Sequence, residues 1–100
     1  MNSADSKKIL RWVNKMRVVV VYKDQTDYAR TVLDYLRDFE HQTSHILETI
    51  DPDTVAGTQF CETYDIVEYP TIIAVSDDSV MQNEWAGLPL PTISEVSYYV

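Results

Sequence analysis

The sequence contains little cysteine, glycine or proline, and few basic residues. A single cysteine in 100 residues excludes an intramolecular disulfide, and with it the small secreted folds that disulfides hold together. Two glycines and four prolines exclude collagen-like and low-complexity architectures. Eight basic residues against sixteen acidic ones give a net charge of −8, so we expect no nucleic-acid partner, because phosphate backbones are also negative. The remaining composition, 45% hydrophobic and 24% charged, is typical of one globular domain.

Long hydrophobic runs are also missing. The longest uncharged apolar run, Val18 to Tyr22, is far shorter than the roughly 18 residues of a membrane span. The first six residues lead into charged positions and have no apolar centre like that of a signal peptide. We therefore expect a cytoplasmic protein that makes no membrane contact.

Charge is distributed unevenly along the chain. Residues 1–17 carry five basic residues and one acidic residue, whereas residues 18–100 carry three basic and fifteen acidic ones. Four apolar residues of the first segment follow the spacing of an amphipathic helix: Ile9, Trp12, Val13 and Met16. The pattern predicts one domain over residues 1–100, with a basic helix over residues 1–16 that packs on a core over residues 17–100. Contact of that helix with a membrane surface or an acidic partner is the alternative.

The rest of the sequence predicts alternating strands and helices. We predict strands over residues 17–23, 45–50, 71–75 and 80–86, and helices over residues 27–43, 51–64 and 92–100. With the N-terminal helix, the order is α-β-α-β-α-β-β-α. The first two strands should be parallel, and the short turn before the last strand should make a hairpin. This order predicts a three-layer α/β/α sandwich around a four-stranded mixed sheet.

Polar residues mark where the predicted helices begin. Asp24, Thr26 and Asp27 are candidate N-caps for the helix over residues 27–43. For the helix over residues 51–64 we expect Asp51 as the N-cap, with Pro52 at the first helical position. The last helix should begin with a capping box, because Thr92 precedes Glu95 by three residues.

Three local motifs, taken in this order, carry a family resemblance. They are the run from Tyr64 to Val75 (YDIVEYPTIIAV), the tripeptide Trp85-Ala86-Gly87, and the strand Val18 to Tyr22 followed by a loop and a helix. Over residues 4–100 the chain resembles the thioredoxin-like fold superfamily, which includes thioredoxins and glutaredoxins. The resemblance implies that Pro70 follows a cis peptide bond and faces the surface that serves redox members as active site.

The chain departs from that family at the position of the redox-active cysteines. Redox members place Cys-x-x-Cys at the start of the helix after the first strand, a position that corresponds here to Thr26-Asp27-Tyr28-Ala29. The reaction needs a thiolate that attacks a disulfide sulfur, and neither a threonine hydroxyl nor an alanine methyl can replace it. No cysteine lies between Met1 and Phe60, so a shift of the alignment does not restore the motif. We therefore expect no dithiol oxidoreductase activity.

The resemblance implies where a binding surface would lie. In the redox members this region binds an extended peptide through the residue before the cis proline, which corresponds here to Tyr69. We therefore predict a non-catalytic module for a protein or peptide partner, with binding residues Thr26, Asp27, Tyr28, Tyr69, Pro70 and Thr71. The alternative for Pro70 is that the fold alone requires it. Because the last helix is short and ends on apolar residues, completion by a second copy of the chain, as a homodimer, is a further hypothesis.

The other candidate residues point to no established chemistry. Cys61 is expected to be a helix residue with an unreactive thiol, and the alternative function is a thiol-dependent redox enzyme or sensor that uses it. His41 and His45 lack a third ligand at a fixed spacing, so we expect no metal. The sequence has no glycine-rich phosphate loop and no Gly-x-Ser-x-Gly motif, so we expect no cofactor and no hydrolase or kinase activity.

Overall fold

The computed structural model describes residues 16–100, so the predicted N-terminal helix lies outside the described residues. Within them a four-stranded sheet is connected by helices, and the sheet order is β2-β1-β3-β4. The strands are β1 (Met16–Val21), β2 (Glu48–Ile50), β3 (Thr71–Ser76) and β4 (Met81–Ala86); the helices are α1 (Ala29–Thr43), α2 (Val55–Tyr64) and α3 (Ile93–Ser97). β1 is parallel to β2, whereas the β1–β3 and β3–β4 pairs are antiparallel. This is the mixed four-stranded sheet that the sequence predicts.

The two central strands are buried on both faces of the sheet. In β1, Val19, Val20 and Val21 are completely buried, as are Ile72 and Ile73 of β3. Runs of β-branched and apolar residues without polar alternation predict such strands, because no face of them meets water. Each fully buried aliphatic side chain stabilises the fold by about 1.5–3 kcal/mol.

Alternate side chains of these strands form two separate apolar clusters. The first lies between the sheet and helices α1 and α3 and contains Val18, Val20, Val32, Phe39, Leu47, Ile72, Ala74 and Val96. The second lies between the sheet and α2 and contains Val19, Val21, Cys61, Ile66, Ile73 and Val75. We call these the α1/α3 face and the α2 face. Helices on both faces confirm the three-layer α/β/α arrangement.

The starts of α1 and α2 differ from the predicted N-caps. Tyr28, not Asp24, Thr26 or Asp27, is the N-cap of α1, and its side chain makes no capping hydrogen bond. α2 begins three residues later than predicted, because Thr54 is its N-cap and accepts a hydrogen bond from the Gly57 N–H. Asp51 and Pro52 lie in a turn before the helix, where the Asp51 carboxylate accepts a hydrogen bond from the Asp53 N–H at 2.9 Å.

Gly57 allows α2 to sit close to this turn. A Cβ at position 57 would lie 1.8 Å from the Asp51 carbonyl oxygen, which is a backbone atom. Only glycine therefore fits the first turn of α2 as it packs here.

The remaining boundaries of strands and helices shift by up to three residues. Met16, which the helical spacing groups with the N-terminal segment, is instead the first residue of β1 and pairs with Ser76. β2 is limited to Glu48–Ile50 rather than beginning at His45, because only these three residues pair with β1 and Ile46 is 80% exposed. The predicted capping box is confirmed, since Thr92 and Glu95 exchange both hydrogen bonds at the start of α3. α3 itself has five residues.

None of the helices in residues 16–100 is long and apolar enough to cross a membrane.

Candidate functional site

One end of the sheet brings together the two segments that the resemblance singles out. Val21, the last residue of β1, pairs with Thr71, the first residue of β3. Because these strands are antiparallel, the loop after β1 and the segment before β3 leave the sheet at the same end. We call residues 26–28 and 69–71, taken together, the strand-end surface.

Hydrogen bonds within the loop after β1 fix its shape. The Thr26 hydroxyl donates to the Lys23 carbonyl at 2.8 Å, and the Ala29 N–H donates to the Thr26 carbonyl. The Lys23 N–H donates to the Tyr28 hydroxyl oxygen at 3.0 Å. Asp27 is exposed. At the position of the redox motif, the side chains of Thr26 and Tyr28 therefore stabilise the loop, and no residue carries a thiol.

Lys23 also connects this loop to the segment before β3. Its Nζ lies 5.2 Å from the centroid of the Tyr69 ring, within cation–π range. The same Nζ is 3.3 Å from the Asp53 carboxylate, which belongs to the turn before α2. Three segments of the chain thus meet around one lysine at this end of the sheet.

Pro70 and Thr71 form the buried part of the strand-end surface. The Tyr69–Pro70 peptide bond is cis, and the Pro70 carbonyl accepts a hydrogen bond from the Gly87 N–H at 2.8 Å. Gly87 has a φ of +74°, a conformation that favours glycine. Thr71 is fully buried, and its hydroxyl donates to the Glu68 carbonyl at 2.6 Å. The Pro70 carbonyl and the Thr71 hydroxyl therefore hold the backbone in place. Because both residues are buried, a ligand could reach only the other members of the surface.

The two tyrosines of the strand-end surface pack on opposite faces of the sheet. Tyr28 contacts the cluster of the α1/α3 face, whereas Tyr69 contacts the cluster of the α2 face. Both are half-buried. The end of the sheet therefore has one aromatic ring on each side. The Tyr28 and Tyr69 rings do not stack on each other across this end.

Cys61 lies on the α2 face, away from the start of α1. Its side chain is 7% exposed and belongs to the same cluster as Val19 and Ile66. Burial raises the pKa of its thiol, and the neighbouring Tyr69 hydroxyl partly offsets that rise. Burial is therefore the main cause of the raised pKa. A protonated, buried thiol is a poor nucleophile.

The structure also shows a cleft that the sequence does not predict. It lies beside Cys61 and Tyr69, opens to solvent and has a volume of about 330 Å³. Its lining comes from residues 52–69, which include the turn before α2, α2 itself and the segment after it. The cleft depends on how these three stretches pack against one another, which the sequence patterns do not specify.

The histidines and carboxylates form no metal centre within residues 16–100. No group of three or more histidine, cysteine, aspartate or glutamate side chains is arranged there to hold an ion. His41 lies in the last turn of α1, which ends at Ser44 in the left-handed conformation. A histidine there is favourably placed against the negative end of the helix dipole.

The sheet order, the helices on both faces and the position of the loop after β1 define a thioredoxin-like fold with a single cysteine, and therefore without a Cys-x-x-Cys pair. The chain is similar to the oxidised thioredoxin of Plasmodium falciparum, with a TM-score of 0.67 and 13% identity over 100% of this chain and 94% of that one. It is also similar to the reduced thioredoxin pre-protein of Schistosoma mansoni, with a TM-score of 0.64 and 19% identity over 95% and 84% of the two chains. For the oxidised mitochondrial thioredoxin 3 of Saccharomyces cerevisiae the TM-score is 0.63 and the identity 12%, over 93% and 83%.

At these identities the likeness concerns the fold, which hosts many functions. No protein-family model matches the sequence, and no curated protein matches it either.

Proposed function

We propose that this chain is a non-catalytic thioredoxin-like protein that binds an extended segment of a protein or peptide partner at the strand-end surface. The observation that carries the proposal is the pairing of Val21 with Thr71, which places the loop after β1 beside Tyr69. Lys23 bridges the two segments through the Tyr69 ring. The surface is therefore assembled although the redox motif is missing.

The chemistry of this surface suits recognition better than catalysis. Backbone hydrogen bonds give affinity for an extended peptide, and neighbouring side chains give specificity. Here Asp27 offers a carboxylate to solvent, and the half-buried rings of Tyr28 and Tyr69 offer apolar area with a polar end. Thr26 is held in its loop by its hydrogen bond to Lys23.

The alternative function, a thiol-dependent redox enzyme or sensor that uses Cys61, has less support. Its thiol is buried on the α2 face and its pKa is raised, so the reactive thiolate is disfavoured. Redox-sensing cysteines are instead exposed and have a low pKa.

Selection from a random peptide library displayed on phage tests the proposal. The full chain is immobilised, and the selected peptides are synthesised and titrated by fluorescence anisotropy. Asp27→Arg should weaken their binding by about fivefold or more, because it replaces an exposed side chain within the surface. Asp77→Arg, an equal charge change in the turn at the opposite end of the sheet, is the matched control and should have little effect. Peptides that bind equally to both variants, or no selected peptides at all, would contradict the proposal.

A further inference from the structure

The cleft beside Tyr69 adjoins the strand-end surface. Tyr69 belongs to both, since it precedes Pro70 and also lines the cleft together with Cys61. A peptide that passes Tyr69 on the strand-end surface would therefore have the cleft within reach of one side chain. A volume of about 330 Å³ is at the lower end of the range for ligand sites and is suited to a single long side chain.

The lining of this cleft is apolar at its base and acidic at its edge. Pro52, Cys61 and Ile66 are buried and form the apolar part. Glu62 and Asp65 are exposed carboxylates on the same cleft. Its lining, as far as the described residues define it, contains no basic side chain.

A long cationic side chain is complementary to both the apolar base and the acidic edge of the cleft. Lysine and arginine place an aliphatic stem along apolar surface and keep the charged end near water or a carboxylate. A neutral apolar side chain would leave the carboxylates unused, and an acidic one would be repelled by them. The charge of the whole chain favours the same choice, because sixteen acidic residues against eight basic ones give a net charge of −8.

Lys23 shows that a cation is already accommodated at the neighbouring position. Its Nζ lies against the Tyr69 ring and near the Asp53 carboxylate, an aromatic–acidic environment similar in kind to that of the cleft. Among residues 16–100, Lys23 pairs with Asp53, and no basic side chain pairs with Glu62 or Asp65.

We propose that the cleft receives a lysine or arginine side chain of the bound segment, so that the partner is a basic peptide. This inference rests on the proposed function, because it names the class of partner that the strand-end surface binds. The cleft is then a second position, besides the strand-end surface, at which the charge of the partner determines binding.

The test titrates the isotope-labelled full-length chain with small probe molecules. Binding is measured by NMR, from the change in backbone amide chemical shifts. N-acetyl-arginine-N-methylamide and its lysine counterpart should shift the amides of Cys61, Ile66 and Val67. N-acetyl-citrulline-N-methylamide has nearly the shape of the arginine probe without its charge, and it should bind roughly threefold more weakly or worse. Equal binding of the arginine and citrulline probes would overturn the proposal, as would shifts confined to other parts of the chain.

A pair of double variants assigns the effect to the two carboxylates. Glu62→Gln with Asp65→Asn should remove the preference for arginine over citrulline, and asparagine suits position 65 because Asp65 has a φ of +55°. Glu40→Gln with Asp77→Asn makes the same charge change at exposed residues outside the cleft and should preserve the preference. Loss of the preference in both variants would overturn the assignment to the cleft.

The same variants separate this inference from the proposed function. Selected peptides should be enriched in lysine or arginine and should bind the Glu62→Gln, Asp65→Asn variant more weakly. Peptides that depend on Asp27 but show no basic preference and no response to that variant would overturn the inference and leave the proposed function intact. Failure to select any peptide that depends on Asp27 would overturn the proposed function, and with it the link between cleft and partner.

Discussion

The two faces of the sheet differ in what they contribute to the molecule. The α1/α3 face holds the larger apolar cluster, which includes the fully buried Phe39. Further aromatic rings pack against this cluster, among them Tyr22, Tyr28, Tyr35, Trp85 and Tyr99. The α2 face holds the smaller cluster, together with Cys61, Tyr69 and the open cleft. Most of the packing is thus on one face, and the features that could bind a partner are on the other and at the strand ends.

This difference separates the only thiol from the position of the redox motif. In this chain that position lies at the start of α1, which packs on the α1/α3 face, whereas Cys61 lies in α2 on the opposite face. The two positions therefore belong to helices that pack on opposite faces of the sheet.

Truncation of one buried helix residue on each face should have unequal effects on stability. Phe39→Ala should lower the free energy of unfolding by about 3–5 kcal/mol, because Phe39 is fully buried among helix and strand residues. Cys61→Ala removes one sulfur atom from the α2 face and should cost only about 1 kcal/mol. Urea denaturation of both variants measures the two losses. Equal losses would show that the α2 face is as important for stability as the α1/α3 face.

Among substitutions on the α2 face, replacement of Gly57 should have the largest effect on stability. Gly57→Ala should lower the free energy of unfolding by about 1–3 kcal/mol, because its Cβ would collide with the Asp51 carbonyl oxygen and displace α2. Arg30→Ala, in the first turn of α1, is the matched control at an exposed position and should change stability by about 0.5 kcal/mol at most. Thermal denaturation of the two variants compares them; a neutral Gly57→Ala would mean that α2 is not held against this turn.

The sequence predicted the layered fold because its strongest signals are local. Val18 to Tyr22 predicts a strand buried on both faces, and Thr92 with Glu95 predicts a capping box; the structure confirms both. The predicted start of α2 was wrong, because Asp51 hydrogen-bonds within a turn and Thr54 caps the helix instead.

The site was predictable only in part. Tyr69 and Pro70 could be singled out through the resemblance, since they belong to one continuous motif. The bridge from Lys23 to Tyr69 joins segments that are far apart in sequence, whereas the cleft and the contact of Tyr69 with Cys61 join α2 to the segment after it. Such contacts depend on how α2 packs, which no single segment encodes.

Tyrosine hydroxyls on the two faces should respond differently to removal. The Tyr35 hydroxyl is buried on the α1/α3 face without a hydrogen-bond partner among the described residues, and burial raises its pKa to about 12. Tyr35→Phe should therefore leave stability unchanged or raise it by up to about 1 kcal/mol. The Tyr64 hydroxyl, in α2, donates to the Ser79 carbonyl at 3.4 Å, so Tyr64→Phe should gain nothing. A clear loss of stability in Tyr35→Phe, measured by urea denaturation, would contradict this account.

The smallest effect is expected from an exposed ion pair at the start of the sheet. Arg17 donates two hydrogen bonds to the Glu48 carboxylate, at 2.7 and 2.6 Å, and this pairing lowers the pKa of Glu48. The lowered pKa stabilises the fold above the unfolded-state pKa of about 4.3, and that contribution is lost as the pH falls through the folded-state value. Because both side chains are well exposed, Glu48→Gln should cost about 0.5 kcal/mol or less at pH 7 and still less at low pH. Urea unfolding curves of both chains at pH 7 and at low pH measure this loss of stability. A loss that is larger at low pH than at pH 7 would contradict the prediction.

The most direct test of a non-catalytic thioredoxin-like protein is an insulin disulfide reduction assay with dithiothreitol as the reductant. It compares the native chain with Cys61→Ser. The account predicts that both chains reduce insulin no faster than dithiothreitol alone, because the redox motif is replaced by Thr26-Asp27-Tyr28-Ala29 and Cys61 is buried. A rate that rises with the concentration of the native chain and is absent in Cys61→Ser would contradict it.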